Sequence, residues 1–239
     1  MRAVICGANG AMGKLIGAIL GNEIVGRVSI DGENNVPKTF AELGKVDADV
    51  VIDFSHHTAV SDVLAYAKEI GAAAVIGTTG HTAEEKAVIT AAAEEIPVFF
   101  SGNMSLGIAV LCRLAKQAAA AFPDADIEIV EAHHIRKVDA PSGTALMLFN
   151  AIKEVRPQAV ANCGRSGEGK RTKNEIGIHA LRMGNVVGIH EIHIHTGTQS
   201  LTLKHESGSR AMLADGAVEA ARFMVGKSAG FYNMENMLG

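Results

Sequence analysis

The chain has 239 residues, 48% of them hydrophobic and 20% charged, with a formal net charge of −4; a chain of this size buries a core without disulfide staples. The absence of a basic run, an aromatic content of 4% and the lack of tryptophan exclude a nucleic-acid partner from the reading. No apolar stretch approaches the roughly 20 residues of a bilayer-spanning helix, no cleavable leader is legible, and Cys6, Cys112 and Cys163 are too scattered for a disulfide framework or a zinc site, so a cytoplasmic protein without membrane contact is expected.

Arg2 to Cys6 is a short apolar run, followed by Gly7-Ala8-Asn9-Gly10-Ala11-Met12-Gly13 and a helical stretch from Lys14 to Leu20. Strand, glycine turn and helix in that order let backbone amides approach a pyrophosphate, with the positive end of the helix dipole directed at it. The spacing G-x-x-G-x-x-G differs from the commoner G-x-G-x-x-G, and alone it is a weak signal, because a glycine turn also serves to pack a helix on a strand. The next strand, Ile24 to Ile30, strengthens it by ending in Asp31, about 20 residues further on, where an acid holds the adenosine ribose. Gly32 follows, where an NADP-preferring site places an arginine, so NADH is at least tolerated; Arg27 and Lys38 stay as candidate partners of a 2′-phosphate, which keeps NADPH open.

Asp49 to Ser55 reads as a third strand, Thr58 to Ile70 as a helix, and Ala72 to Ile76 as a fourth strand ending in Gly77-Thr78-Thr79-Gly80. The apolar run Ile96 to Phe100 then leads into Ser101-Gly102-Asn103-Met104. This alternation implies a parallel sheet with right-handed crossovers, whose ligands gather at the carboxyl ends of the strands. Both turns are expected at the nicotinamide half of a dinucleotide, the alternative being ordinary polar turns. The pair His56-His57 follows a strand end, and lining of the cofactor cleft is the less favoured of its readings.

From Ser105 the pattern changes. A long Ala/Leu helix runs to about Phe122, Asp126 to Val130 alternates as a half-buried strand, and Ala145 to Val155 has helical composition. Gly177 to Arg182, Asn185 to His195 and Gln199 to His205 read as sheet, Gly164 to Asn174 as a hydrophilic loop with the character of a lid, and Met212 to Met224 as a helix returning to the first domain. Glu191, His193 and His195 alternate onto one face, but without converging ligands from another element no metal is expected there.

The densest chemistry lies between the half-buried strand and the helix after it, in Glu131-Ala-His-His-Ile-Arg-Lys-Val-Asp-Ala-Pro-Ser-Gly-Thr144, read as a strand-to-helix loop. A histidine exchanges a proton near neutral pH, and a lysine four residues later gives a proton or neutralises a carboxylate. Ser142, Gly143 and Thr144 at a helix start offer N–H and hydroxyl donors, with Pro141 suited to the first turn. The combination suits a small dianionic substrate with an imine-like nitrogen. Taken singly, each residue has a plainer role: His133 as a cap, His134 as packing, Lys137 as a solvated charge.

The segment Glu131 to Ala145 resembles the signature of the dihydrodipicolinate reductases of the diaminopimelate route to lysine, and the resemblance extends through Gly7 to Gly13, Ile52 to Ser55, Gly77 to Gly80, Ser101 to Met104, Leu181 to Gly188 and Ala214 to Val218. It implies reduction of a cyclic dicarboxylic imine-type intermediate by NADH or NADPH. Transferred to this numbering, it implies proton transfer at His133 and Lys137. Substrate contacts fall on His134, Ser142, Gly143, Thr144 and Thr79, and cofactor contacts on Gly7, Ala8, Asn9, Gly10, Ala11, Met12, Asp31, Gly77, Thr78, Thr79, Ser101, Gly102, Asn103 and Met104. It also implies a homotetramer formed through the second domain. Ala11 and Gly32 stand where many members carry arginines, and Met104 where phenylalanine is frequent. The expected fold is α/β: a Rossmann-like parallel-sheet dinucleotide-binding domain (1–104 and 213–239) and an α+β substrate-binding and oligomerisation domain with an open mixed sheet (105–212). Two other readings compete. A non-catalytic dinucleotide sensor has no need of His133, Lys137 and the Pro-Ser-Gly-Thr turn together, and a semialdehyde dehydrogenase needs a cleft cysteine that neither Cys6 nor Cys112 supplies.

Overall fold

The structure is a computed structural model that describes residues 1–239. In chain order it runs β1 (Ala3–Cys6), α1 (Ala11–Leu20), β2 (Ile24–Val28), α2 (Phe40–Leu43), β3 (Val50–Asp53), α3 (Val60–Ile70), β4 (Ala73–Ile76), α4 (Ala83–Ala92) and β5 (Pro97–Phe100). It continues with α5 (Leu106–Ala121), β6 (Asp126–His133), α6 (Gly143–Val155), β7 (Val160–Cys163), β8 (Glu175–Arg182), β9 (Gly188–His195) and β10 (Ser200–Ser207). The chain closes with α7 (Ala211–Met224) and β11 (Gly230–Tyr232). It divides into two compact units, Met1–Ser105 with Ala211–Gly239, and Leu106–Arg210.

The first unit is a six-stranded parallel sheet in the order β11-β5-β4-β3-β1-β2. Three of its four inner strands, β1, β3 and β4, read Ala-Val-Ile-Cys, Val-Val-Ile-Asp and Ala-Ala-Val-Ile and are buried at every position, as strands covered on both faces must be. On one face Val4, Val51, Ala74 and Ile76 pack with Val63, Leu64 and Ala67 of α3 and Ile89 of α4. The other partners are α1 and α7, which pack on each other, and α7 lies against β3, β4 and β5 through a side rich in alanine and glycine. Strand order reverses between β1 and β3, and ligands of such sheets bind outside the carboxyl ends of the strands at that switch point.

The second unit is a five-stranded mixed sheet, β10-β9-β6-β8-β7, with β6 at its centre, antiparallel to β9 and parallel to β8. Ile127, Ile129, Ile176, Ile178, Ile192 and Ile194 alternate onto one face and pack against Ile108, Leu111 and Ala115 of α5 and Leu148, Phe149 and Ile152 of α6. The alternate positions, including Glu128, His179, Glu191 and Lys204, are half-buried or exposed on the opposite face.

The α/β fold expected from the sequence is the one observed. Four elements, α2, α4, β7 and β11, lie outside the sequence expectation, and β6 runs further than the alternation to Val130 suggests, so that Glu131, Ala132 and His133 are strand rather than loop. Pairing explains the extension: β6 is hydrogen-bonded on both sides, and Ala132 still faces Ile189 and His133 faces Arg182.

Candidate functional site

In the first unit, the chain leaves β1 through Gly7, whose φ is +81° and whose added Cβ would stand 2.3 Å from the Phe54 carbonyl oxygen; a Cβ on Gly13 would stand 2.2 Å from the Gly7 carbonyl oxygen. Only glycine at both places allows the turn and the seating of α1. No side chain caps α1 at Gly10, so its first amides lie at an uncapped helix start, a ready place for a phosphate.

Two cavities lie along this edge. The larger, about 1170 Å³, is lined by Gly7, Gly10, Ser29, Asp31 and Lys38 among others, and the smaller, about 550 Å³, by Ala11, Met12, Gly77, Thr78, Thr79, Gly102, Asn103, Met104 and Leu213 among others. Phe54, Ser55 and His56 border both. Asp31 lies three residues beyond β2, where Asn9 donates to its Oδ1 at 2.6 Å and the Glu33 amide at 3.1 Å; these bonds hold its carboxyl below the usual range, ionised and ready to accept from hydroxyls. The cavities, the uncapped helix and the acid fit a dinucleotide.

Three of the cofactor residues named from sequence line neither cavity: Ala8 is buried, Asn9 is bonded to Asp31, and the Ser101 hydroxyl donates to the Asn103 carbonyl at 2.7 Å. The hydroxyl of Thr78 donates to Asp53 Oδ2 at 2.6 Å and accepts from the Ser55 amide at 3.0 Å, which ties the Gly77–Thr79 turn to the end of β3. Burial pushes the Asp53 carboxyl up despite these donors. His56 and His57, for which cleft lining is the less favoured reading of the sequence, border the smaller cavity, and His57 Nδ1 lies 2.9 Å from Glu85. Cys6 has its thiol pushed up to about 12, by burial first and then by Asp53, so it is no nucleophile.

In the second unit the polar cluster is organised by Glu131, which is fully buried. His133 Nδ1 lies 2.5 Å from its Oε2, Arg182 donates to both oxygens at 2.9 Å, and the Ser142 amide donates to Oε1 at 3.0 Å. Burial pushes the carboxyl up, but the donors from Arg182, His133 and Ser142 outweigh it and hold the group below its usual value. Ser142 is the N-cap of α6: its Oγ accepts from the Ala145 amide at 3.2 Å and lies 3.2 Å from His190 Nε2. Pro141 therefore precedes the cap instead of opening the first turn. The His133 and His190 rings meet edge to face at 5.1 Å, and burial, then the neighbouring His133, lowers His190 to about 4.

His133 and Ser142 are thus joined through one carboxylate. Gly143 and Thr144 begin the helix beside them, Gly143 exposed. Lys137 stands apart from that bond set, its Nζ 2.8 Å from Asp139 Oδ1. His134 Nε2 lies 3.3 Å from Arg210 Nη2, and burial together with Arg136 and Arg210 lowers its pKa. Thr79 belongs to the first unit and lines its smaller cavity. Sequence reading left out Glu131, Arg182 and His190. Glu131 and His190 carried a signal all the same: each occupies a position where the strand's alternation points to the apolar face. Glu191 and His193 pair with each other and Glu191 with Lys204, and no group of three or more His, Cys, Asp or Glu side chains gathers to hold a metal.

The sequence matches the family model described as Dihydrodipicolinate reductase, N-terminus, over residues 1–104, and that described as Dihydrodipicolinate reductase, C-terminus, over residues 107–238. The chain belongs to the dihydrodipicolinate reductase family. Similar members include a 4-hydroxy-tetrahydrodipicolinate reductase of Caldanaerobacter subterraneus subsp. tengcongensis, 41% identical over 249 residues covering 100% of this chain and 98% of that protein. One from Clostridium tetani is 40% identical over 247 residues, covering 100% and 97%. Among solved structures, dipicolinate-bound dihydrodipicolinate reductase from Paenisporosarcina sp. TG-14 superposes with a TM-score of 0.80 at 25% identity, over 99% of each chain. The protein is an oxidoreductase with an α/β fold and a nicotinamide dinucleotide-binding first half. No helix is long and apolar enough to cross a membrane.

Proposed function

We propose that the protein reduces 4-hydroxy-tetrahydrodipicolinate (dihydrodipicolinate) to tetrahydrodipicolinate with NADH or NADPH, in the diaminopimelate route to lysine in the cytoplasm. The observation that carries the reading is the buried carboxylate that joins His133 to the Ser142 turn, in a chain matched along both halves by one reductase family. When bound, the reduced nicotinamide supplies the hydride. Addition of hydride to a conjugated C=N system leaves negative charge that a proton must quench, and His133 with Lys137 supplies it. His134, the Ser142 turn, Gly143 and Thr144 grip the two carboxylates with N–H and hydroxyl donors, which sets the attack geometry. On the cofactor side, Asp31 takes the ribose hydroxyls, the start of α1 the pyrophosphate, and the Gly77–Thr79 and Ser101–Met104 turns the nicotinamide half.

Lys38 gives the site a second cofactor. Its side chain folds over Gly32, so that a Cβ there would stand 2.4 Å from its Cε, and it lines the same cavity as Asp31. That placement supports the Lys38 ammonium as the partner of a 2′-phosphate in place of the absent arginine. The half-exposed outer face of the second sheet is the surface through which four copies associate.

The test is kinetics with both cofactors on substrate generated by the preceding synthase. Loss of NADH and NADPH absorbance only in the presence of that substrate is expected; no turnover with either cofactor would sink the reading. Lys38→Ala should weaken binding of NADPH and of 2′,5′-ADP about tenfold or more, the loss of one charge-assisted hydrogen bond, and leave NADH unaffected. Light scattering of the eluting protein tests for the tetramer.

A further inference from the structure

The functional reading names His133 as a proton-transfer residue without saying which ring nitrogen acts or what makes it act. Glu131 answers both. Its carboxylate is ionised, so its oxygens can only accept, and the four contacts on it must all be donors. Three are donors by constitution: the two guanidinium nitrogens and the Ser142 amide. The fourth, 2.5 Å away, is His133 Nδ1, which must therefore carry a proton in the neutral ring. Nε2 is left with the lone pair, so it takes up a proton from water, forming the imidazolium, before it gives that proton to the substrate. It faces Gly188 of β9, where a Cβ would stand 3.2 Å from it, so the strand leaves room at the working nitrogen.

Arg182 completes the arrangement. Besides clasping Glu131 with both terminal nitrogens, it donates to the Asp139 carbonyl at 2.5 Å, and the Asp139 side chain in turn pairs with Lys137. The groups around His133 are thus Glu131 on β6, Arg182 on β8 and His190 on β9. We propose that Glu131, clasped by Arg182, is the positioning residue of this site: it fixes His133 as the Nδ1–H tautomer, leaves Nε2 to exchange the proton, and holds the Ser142 turn in register on the same carboxylate. This rests on the functional reading above for what the proton is used for, but not for the tautomer itself.

Long-range proton–nitrogen correlation spectra of 15N-histidine protein at alkaline pH test it, with the His133 signals assigned by their loss in His133→Asn. The wild-type protein should show His133 protonated at Nδ1 and bare at Nε2; an Nε2–H signal overturns the proposal. Glu131→Gln should let the two tautomers mix and lower kcat roughly 10- to 100-fold, with the dissociation constant of NADH little changed. Glu131→Gln with wild-type kcat overturns it as well. If the wild-type protein fails to turn over the substrate, the functional reading falls, and the spectrum alone decides on Glu131.

Discussion

Lys137 and His133 are four residues apart in sequence yet held by different carboxylates, Asp139 for the first and Glu131 for the second. That separation gives a division testable at the level of single side chains. Lys137→Ala removes a cation from the substrate loop and nothing from the nucleotide cavities. Turnover should fall about 100-fold or more while the dissociation constant of NADH, measured by fluorescence titration, stays as in the wild type. Loss of NADH affinity with normal turnover would contradict the placement. The pairing with Asp139 carries little stability of its own, since Asp139 is exposed, so Lys137→Ala should unfold at nearly the wild-type denaturant concentration.

At the scale of elements, helix α6 depends on one hydroxyl. Ser142→Ala removes the acceptor for the Ala145 amide and the neighbour of His190 Nε2, while the Ser142 backbone amide still reaches Glu131. About 1–2 kcal/mol of stability should be lost in urea denaturation, the usual worth of an N-cap. The same region shows how much of the molecule is legible in the sequence. Long periodic elements, the glycine turn and the strand-to-helix position of the cluster could be read because each follows from local periodicity or from the residue types a turn demands. The end of β6 could not, because pairing with strands some 50 residues later settles it: His133 against Arg182, Ala132 against Ile189. Nor could β7, an edge strand of half-exposed residues, or β11, three residues that exist as a strand only through β5. Within the cluster, the histidines and the lysine announce themselves by type. Glu131 looks like one more surface acid until its place on the isoleucine face is noticed, and Arg182 gains its meaning from the parallel register of β8.

For the whole molecule, the buried groups of the second unit set a direction for acid sensitivity. His190 is held near 4 against its ordinary 6.5, so the unfolded chain binds a proton that the folded chain refuses. Its contribution is present above about 6.5 and is lost as pH falls toward 4, on the order of 3 kcal/mol in full. Glu131, held below the usual carboxylate value, adds a loss of the same sign at lower pH. Denaturation midpoints should decline from pH 7 to pH 4, and His190→Gln should flatten the upper part of that decline. A flat midpoint in the wild type would contradict the burial assigned to His190.

The first unit is written in two instalments. Its last helix and last strand, α7 and β11, come only after the whole second unit, and Leu213 of α7 lines the smaller nucleotide cavity. On the ribosome, β1 to β5 emerge early but wait through more than a hundred residues for the helix that covers β3, β4 and β5. The Leu106–Arg210 segment, which holds its own sheet and both of its covering helices, is complete before that. Vectorial synthesis therefore favours the inserted segment as the earlier folding unit, the reverse of the usual amino-terminal-first order. A nascent chain stalled near Arg210 would present the half-covered sheet to chaperones, and nucleotide binding would wait for α7 to emerge.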